Sequence, residues 1–326
     1  TINYRAEQSY KVLVNHLTTS KLSLDSPFDI STSLEIEGHS LKEKIKIETT
    51  GQLIYASTNR LRFDRLVSTI GLGDDTELSI NAAGELHTQR QVIILNEAGI
   101  SYDAILASFT GIFNFAAEPR FDGELNLETA SLSNLVDSPL PITALHLTSG
   151  LNASSQEVNL TTMEGGFDDT KFKGNLSVAM TEPLHLAGDL RFDQLQLSSN
   201  KQSSQPNTPT TTSATTSDPE LLPLILKPHR LDFILRVDKL RYRDFAFSDA
   251  KVEINSNRNQ LELMANTKVL GGKLVASVTS DWSSSQLVAS ADRLDISTLT
   301  ESRALTGRLT GHGEYDFRGN RLSHLE

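Results

Sequence analysis

From Leu231 to Leu299 apolar and polar residues alternate almost without interruption. Leu231, Phe233, Leu235 and Val237 share one parity; Asp232, Arg236 and Asp238 take the other, with Ile234 the exception. Successive side chains of a β-strand point to opposite faces, so this spacing gives each segment one greasy and one wet side. The helical spacing of three and four is almost absent. The same alternation returns in Leu240/Tyr242, Phe245/Phe247, Val252/Ile254, Leu261/Leu263, Ala276/Val278 and Leu287/Ala289. Upstream it is carried by Ile45/Ile47, Leu61/Phe63, Leu78/Ile80, Phe113/Phe115 and Leu125/Leu127. The clearest strand is Phe172, Gly174, Leu176, Val178, Met180, with Lys171, Lys173, Asn175 and Ser177 opposite, and Leu184–Phe192 repeats it. A chain patterned in this way specifies long sheets whose product is a surface.

The chain has 326 residues, enough for one large β domain or two medium ones. Hydrophobic content is 38% but aromatics are only 6%, so burial must come mainly from Leu, Ile, Val and Ala. The net charge of -11 argues against nucleic acid as a partner, because phosphate neutralisation needs clustered Lys and Arg. The one dense basic segment, Arg236 to Arg243, is diluted by Asp238 and spread over a strand face. Cysteine is absent, which removes disulfides, thiolate nucleophiles and Cys-type zinc sites together. No apolar run approaches the roughly 18–20 residues that span a bilayer as a helix, and no signal peptide is visible. The first residue is Thr1 rather than Met, so the expectation is an excised piece whose membrane anchor lies outside it.

Composition changes most sharply at Ser198–Ser217, a Ser/Thr/Pro-rich stretch without a large apolar residue. Nothing there can offset the entropy of ordering, so it reads as a disordered loop. The expected organisation is therefore an N-terminal β region over 1–197 with a short leading helix, the loop over 198–217, and a C-terminal β region over 218–326 that continues the same sheet. The fold class expected is mostly β: an elongated, curled antiparallel sheet with two or three short helices. The leading helix is expected over Arg5–Leu17, where Tyr10, Leu13, Val14 and Leu17 fit a helical face. A second begins at Asp218-Pro219-Glu220, which supplies an N-cap, a Pro at the first position and an acidic first turn. Ser131–Val136 and Ser297–Glu301 each fit one helical turn. Gly174, Gly188, Gly311 and Gly313 fall on apolar faces and mark either curling of the sheet or ordinary bulges.

Catalytic patterns are missing. The eight histidines are isolated and none stands at a metal-ligand spacing. No nucleophile elbow, phosphate-binding loop or dinucleotide fingerprint occurs. Asp74-Asp75 and Asp168-Asp169 are paired acids that read as solvated turns. No catalytic residue, metal ligand or cofactor is therefore assigned.

One motif order is informative. Leu221-Leu-Pro-Leu-Ile-Leu226 is followed by Leu240-Arg-Tyr-Arg-Asp-Phe-Ala-Phe-Ser-Asp249, Leu270-Gly-Gly-Lys-Leu274, Leu294-Asp-Ile-Ser-Thr-Leu299 and Leu305-Thr-Gly-Arg-Leu-Thr-Gly311. Over about 90 residues this series resembles the C-terminal region of AsmA-like bacterial envelope proteins, relatives of the TamB-like bridge lipid carriers. Thr1–Leu197 matches them only in texture. The resemblance implies a non-enzymatic periplasmic protein tethered to the inner membrane. It implies a β groove with an apolar floor that supports phospholipid transport towards the outer membrane. The partners so implied are phospholipid acyl chains, the inner membrane, and outer-membrane or other envelope proteins. Residues then expected to line the groove are Leu176, Val178, Met180, Leu186, Leu190, Phe192, Phe233, Leu235, Val237, Val252, Ile254, Leu261 and Leu263. The same residues would equally build the core of a closed sandwich or barrel. A structural β protein that assists outer-membrane protein assembly is the alternative function.

Overall fold

The computed structural model describes residues 10–21, 25–38, 45–71, 77–130, 144–197, 229–242, 245–295, 297 and 307–318. Strands dominate them, as the alternation demands, and no α-helix occurs among them. The chain divides into two compact units, Thr1–Asp168 and Asp169–Glu326.

The first unit is an antiparallel meander in which each strand pairs with the next. Its strands are β1 (Tyr10–Thr19), β2 (Pro27–Gly38), β3 (Ile45–Ser57), β4 (Arg60–Gly71), β5 (Glu77–His87), β6 (Val92–Tyr102), β7 (Ile105–Asn114), β8 (Arg120–Thr129), β9 (Leu145–Ser154) and β10 (Glu157–Phe167). The second unit comprises β11 (Thr170–Ala179), β12 (His185–Leu197), β13 (Arg230–Tyr242), β14 (Phe245–Ser256), β15 (Leu261–Val269), β16 (Gly272–Ser280), β17 (Ser284–Asp295) and β18 (Arg308–Arg318). Its neighbours pair antiparallel except β12 and β13, which run parallel from His185↔Arg230 to Leu197↔Tyr242. Among the described residues, no pairing between first and last strand closes either sheet on itself.

The parallel pair has a consequence for domain organisation. β12 precedes the Ser/Thr-rich stretch and β13 follows it, and the two are hydrogen-bonded neighbours. The division into compact units accordingly falls at Asp168/Asp169 and leaves β11 and β12 with the second unit.

The leading helix is a correction. Tyr10–Thr19 is a strand paired with β2 along its length. The apparent helical spacing from Val14 to Leu17 comes from a bulge between Val14 and His16. Val12 and Val14 face Ile36 and Leu34, and after the bulge Leu17 faces Thr32 on the same side. Residues 5–9, and the helices expected at Asp218 and Ser131–Val136, lie outside the described residues, as does Ser297–Glu301 apart from Ser297. Asp74-Asp75 also lies outside them, whereas Asp168-Asp169 forms the exposed turn between β10 and β11.

Bulges with this three-residue step recur and keep the apolar side chains on one face. Leu66 follows Phe63, Ala98 follows Leu95 and Leu294 follows Ala291 across register shifts. Arg65 and Arg293 absorb two of these steps with φ of 50° and 55°, left-handed values that non-glycine residues seldom adopt. An extra residue bends its strand and strengthens local twist, so repeated bulges curve a sheet without surrendering its two-faced pattern.

Candidate functional site

The registers assemble the second unit's apolar residues into rows that run across the strands. Directly paired residues share a face. Leu176 pairs with Gly188, Gly188 with Phe233, Phe233 with Ile254, Ile254 with Leu263 and Leu263 with Val278. One row further along the strands, Leu190, Leu235, Val252, Ala265 and Ala276 are joined in the same way. On one flank lie Phe172, Phe192, Val237 and Ala250. On the other lie Val178, Leu186, Leu231, Ser256 and Leu261. Every groove candidate from the sequence except Met180 thus falls on a single face. Met180 stands just past the end of β11 and is exposed.

This face is not sealed. Val237 and Leu261 are buried, but Leu176, Val178, Leu186, Leu190, Phe192, Phe233, Leu235, Val252, Ile254 and Leu263 all keep contact with solvent. Among the described strands, close backbone approach is confined to hydrogen-bonded neighbours. Strands stand about 4.8 Å apart, so eight of them make a floor on the order of 34 Å long. That exceeds the ~15 Å depth of one leaflet of bilayer hydrocarbon.

Glycine on the floor has a steric cause. A Cβ on Gly188 would lie 2.6 Å from Leu176 Cδ2 and 2.9 Å from Phe233 Cε1, so the Phe233 ring occupies the place of a side chain there. Gly111 and Gly123 face each other in the first unit, and Phe121 Cζ would stand 2.9 Å from a Cβ on either. Gly311 and Gly313 are different, for a Cβ on them would meet nothing within 4 Å. They lie on β18, whose side chains from Arg308 to Asp316 are all exposed.

The first unit carries a comparable face that was not singled out as a site. Leu61, Leu86, Ile93, Phe113 and Phe121 form one row. Leu66, Ala82, Ala98, Phe109 and Leu125 form another. Sequence reading also missed the extension of the second unit's floor to Leu240 and Phe247. β15 runs from Leu261 to Val269 without a register shift, so Val269 faces the floor. Its partner Phe247, and Leu240 opposite Phe247, therefore face it too. The missed signal is an Asp inside a three-residue apolar step, as in Phe247-Ser-Asp-Ala250, where Asp249 takes a φ of 51° at a bulge.

The reverse face of the second unit is wet and cross-linked by charge. His185 Nε2 lies 2.7 Å from Asp232 and Arg191 grips Asp238 at 3.0 Å. Arg236 pairs with Asp189, and Lys251 with Glu253. Arg236 and Asp238, which open the basic segment, therefore have partners, in keeping with a solvated strand face. In the first unit Arg60 binds Glu85 at 2.5 Å and His87 adds a 3.1 Å contact, holding the Glu85 carboxyl below its ordinary range. Among the described residues no group of three His, Cys, Asp or Glu is placed to hold a metal ion. The His185–Asp232 pair has no hydroxyl hydrogen-bonded to the imidazole among the described residues, so it serves as a cross-strand link. No described helix is long and apolar enough to cross a membrane. No protein-family model, curated protein or solved structure matches this chain.

Proposed function

We propose that this chain handles lipid without catalysis, its apolar sheet face receiving phospholipid acyl chains. The setting proposed is the bacterial periplasm, tethered to the inner membrane in the full-length protein and serving phospholipid transport to the outer membrane and envelope integrity. The observation that carries the reading is a continuous apolar floor whose side chains mostly remain in reach of solvent. Acyl chains are held by transfer from water, worth ~0.8 kcal/mol per methylene. Contacts of that kind have no direction, so a chain can slide from row to row. The AsmA-like motif order in 221–311 supports the same reading by resemblance.

The decisive variant is Leu235→Asp. Leu235 sits mid-floor but is not buried. The expected outcome is a folded protein, by circular dichroism and thermal melting, that loses phospholipid recovered on extraction and mass spectrometry of the wild type. A wild type that carries no phospholipid, or a variant that unfolds because the face is sealed, would overturn the reading. The alternative, a scaffold for outer-membrane protein assembly, draws on the exposed strand β18, which pairs with β17 alone among the described residues. It would gain if a protein bound along that edge while lipid did not bind the floor.

A further inference from the structure

One rim of the second unit's floor changes character from apolar to polar within a single row. Beyond Val178↔Leu186, the β11–β12 register places Met180 against Leu184. The parallel register His185↔Arg230 places Leu184 beside His229, and the Arg230 amide donates to the Leu184 carbonyl at 2.8 Å. The β13–β14 register, continued from Leu231↔Ser256, places His229 against Arg258. Met180, Leu184, His229 and Arg258 therefore lie together just beyond the ends of β11, β12, β13 and β14. Together with Thr181, Glu182 and Pro183 they line an open cleft of about 410 Å³.

Two features of this cleft are left unanswered by the protein itself. Arg258 is exposed and, like Arg241 and Arg308 of the same unit, has no ion-pair partner among the described residues, whereas Arg191, Arg230, Arg236 and Arg293 are each paired with an aspartate. His229 Nδ1, on the cleft wall, is buried without a hydrogen-bond partner. A buried polar atom without a partner costs on the order of 1–3 kcal/mol, a cost that a ligand oxygen would remove. A guanidinium without an ion-pair partner beside an imidazole with an unmet nitrogen suits a phosphate, and the adjoining Met180 and Leu184 suit the first carbons of its tails. Glu182 adds a carboxylate, which matches the amine of a zwitterionic head.

We infer that this cleft holds the phosphate-bearing head of an amphiphile whose tails lie on the floor, with Arg258 as the principal contact. The inference rests on the lipid-handling reading and assigns it a point of entry and a preference for phospholipid over neutral lipid. The test measures binding of three soluble probes to the intact chain by calorimetry. These are dihexanoyl phosphatidylethanolamine below its micellar concentration, dihexanoylglycerol and inorganic phosphate. The expected result is that Arg258→Gln weakens the phospholipid about tenfold and leaves dihexanoylglycerol unchanged, while Leu235→Asp weakens both. Unchanged phospholipid affinity in Arg258→Gln would overturn the head-group assignment and leave the floor reading standing. Failure of the wild type to bind either lipid would overturn both. Inorganic phosphate that binds as tightly as the phospholipid, and with the same dependence on Arg258, would replace the amphiphile by a free anion.

Discussion

The two sheets are built from the same alternation yet hold themselves together differently. The first, β1–β10, is a plain meander: every strand pairs antiparallel with its sequence neighbour, and its buried side chains are scattered as Phe28, Phe63, Ala98, Leu147 and Met163. The second contains a parallel pair across a long connection, and its buried side chains gather towards both ends of the strands, Val237, Ala250, Val269 and Leu294 at one and a serine-rich cluster at the other. There Leu261 and Ser280 are fully enclosed, beside Leu231, Ser285 and Trp282. Ser280 Oγ accepts the Trp282 amide at 3.0 Å, donates to the Ser284 carbonyl at 3.1 Å, and meets Ser285 Oγ at 2.8 Å. Parallel pairing is slightly weaker per residue than antiparallel, and it closes a longer loop. The ion pairs Asp189–Arg236 and Arg191–Asp238 and the His185–Asp232 hydrogen bond all join β12 to β13, where that weakness lies. Antiparallel neighbours carry such links as well, Lys11–Glu37 between β1 and β2 and Arg60–Glu85 between β4 and β5, but the long-range join gathers three of them on one strand pair.

The largest expected effect breaks the enclosed end. Leu261→Ala should cost about 3 kcal/mol, because a side chain with no exposure leaves a cavity behind. Leu235→Ala, on the open floor, should cost no more than about 1 kcal/mol, and urea denaturation of the two variants measures the gap. Next comes backbone crowding in the first sheet. Gly123→Ala would set a Cβ 2.0 Å from the Thr110 carbonyl and should cost about 2 kcal/mol, whereas Gly313→Ala on β18 should be nearly neutral. Equal melting temperatures for these two variants would remove the steric account of the floor glycines.

Smaller still is the electrostatic join. Replacing Asp189, Asp232 and Asp238 together by Asn should lower stability by about 1 kcal/mol in total. It should also speed amide exchange in β12 and β13 while β3–β8 are unaffected; uniform exchange changes would show that the ion pairs are not specific to the join. The smallest effect is acidic. Because the hydrogen bond and charge of Arg60 hold the Glu85 carboxyl below 4.5, its contribution is present above that pH. It is lost as pH falls through the lowered native value. Wild type should therefore lose roughly 0.5 kcal/mol more than Glu85→Gln between neutral and strongly acidic pH, read from denaturation at each pH.

Alternation alone determined the strands, their two faces and the membership of the floor, because a period of two leaves a side chain no third direction. Parity placed the groove residues of each strand on a shared side, and the registers then joined those sides into one face. Parity fails at a bulge, where one extra residue reverses it. For that reason Val14 and Leu17 imitate a helix, and Leu240 and Phe247 seem to leave the floor on which they lie. Which strands become neighbours is likewise not written in local pattern. The parallel join of β12 to β13 depends on pairing across the long connection. Only that join carries Leu184 to His229, and only the β13–β14 register carries His229 to Arg258. Those residues come from three separate segments, and nothing in the spacing of any one of them announces the others. The sequence decided what each strand shows to either side; tertiary pairing decided where the apolar surface ends and which charge waits at its rim.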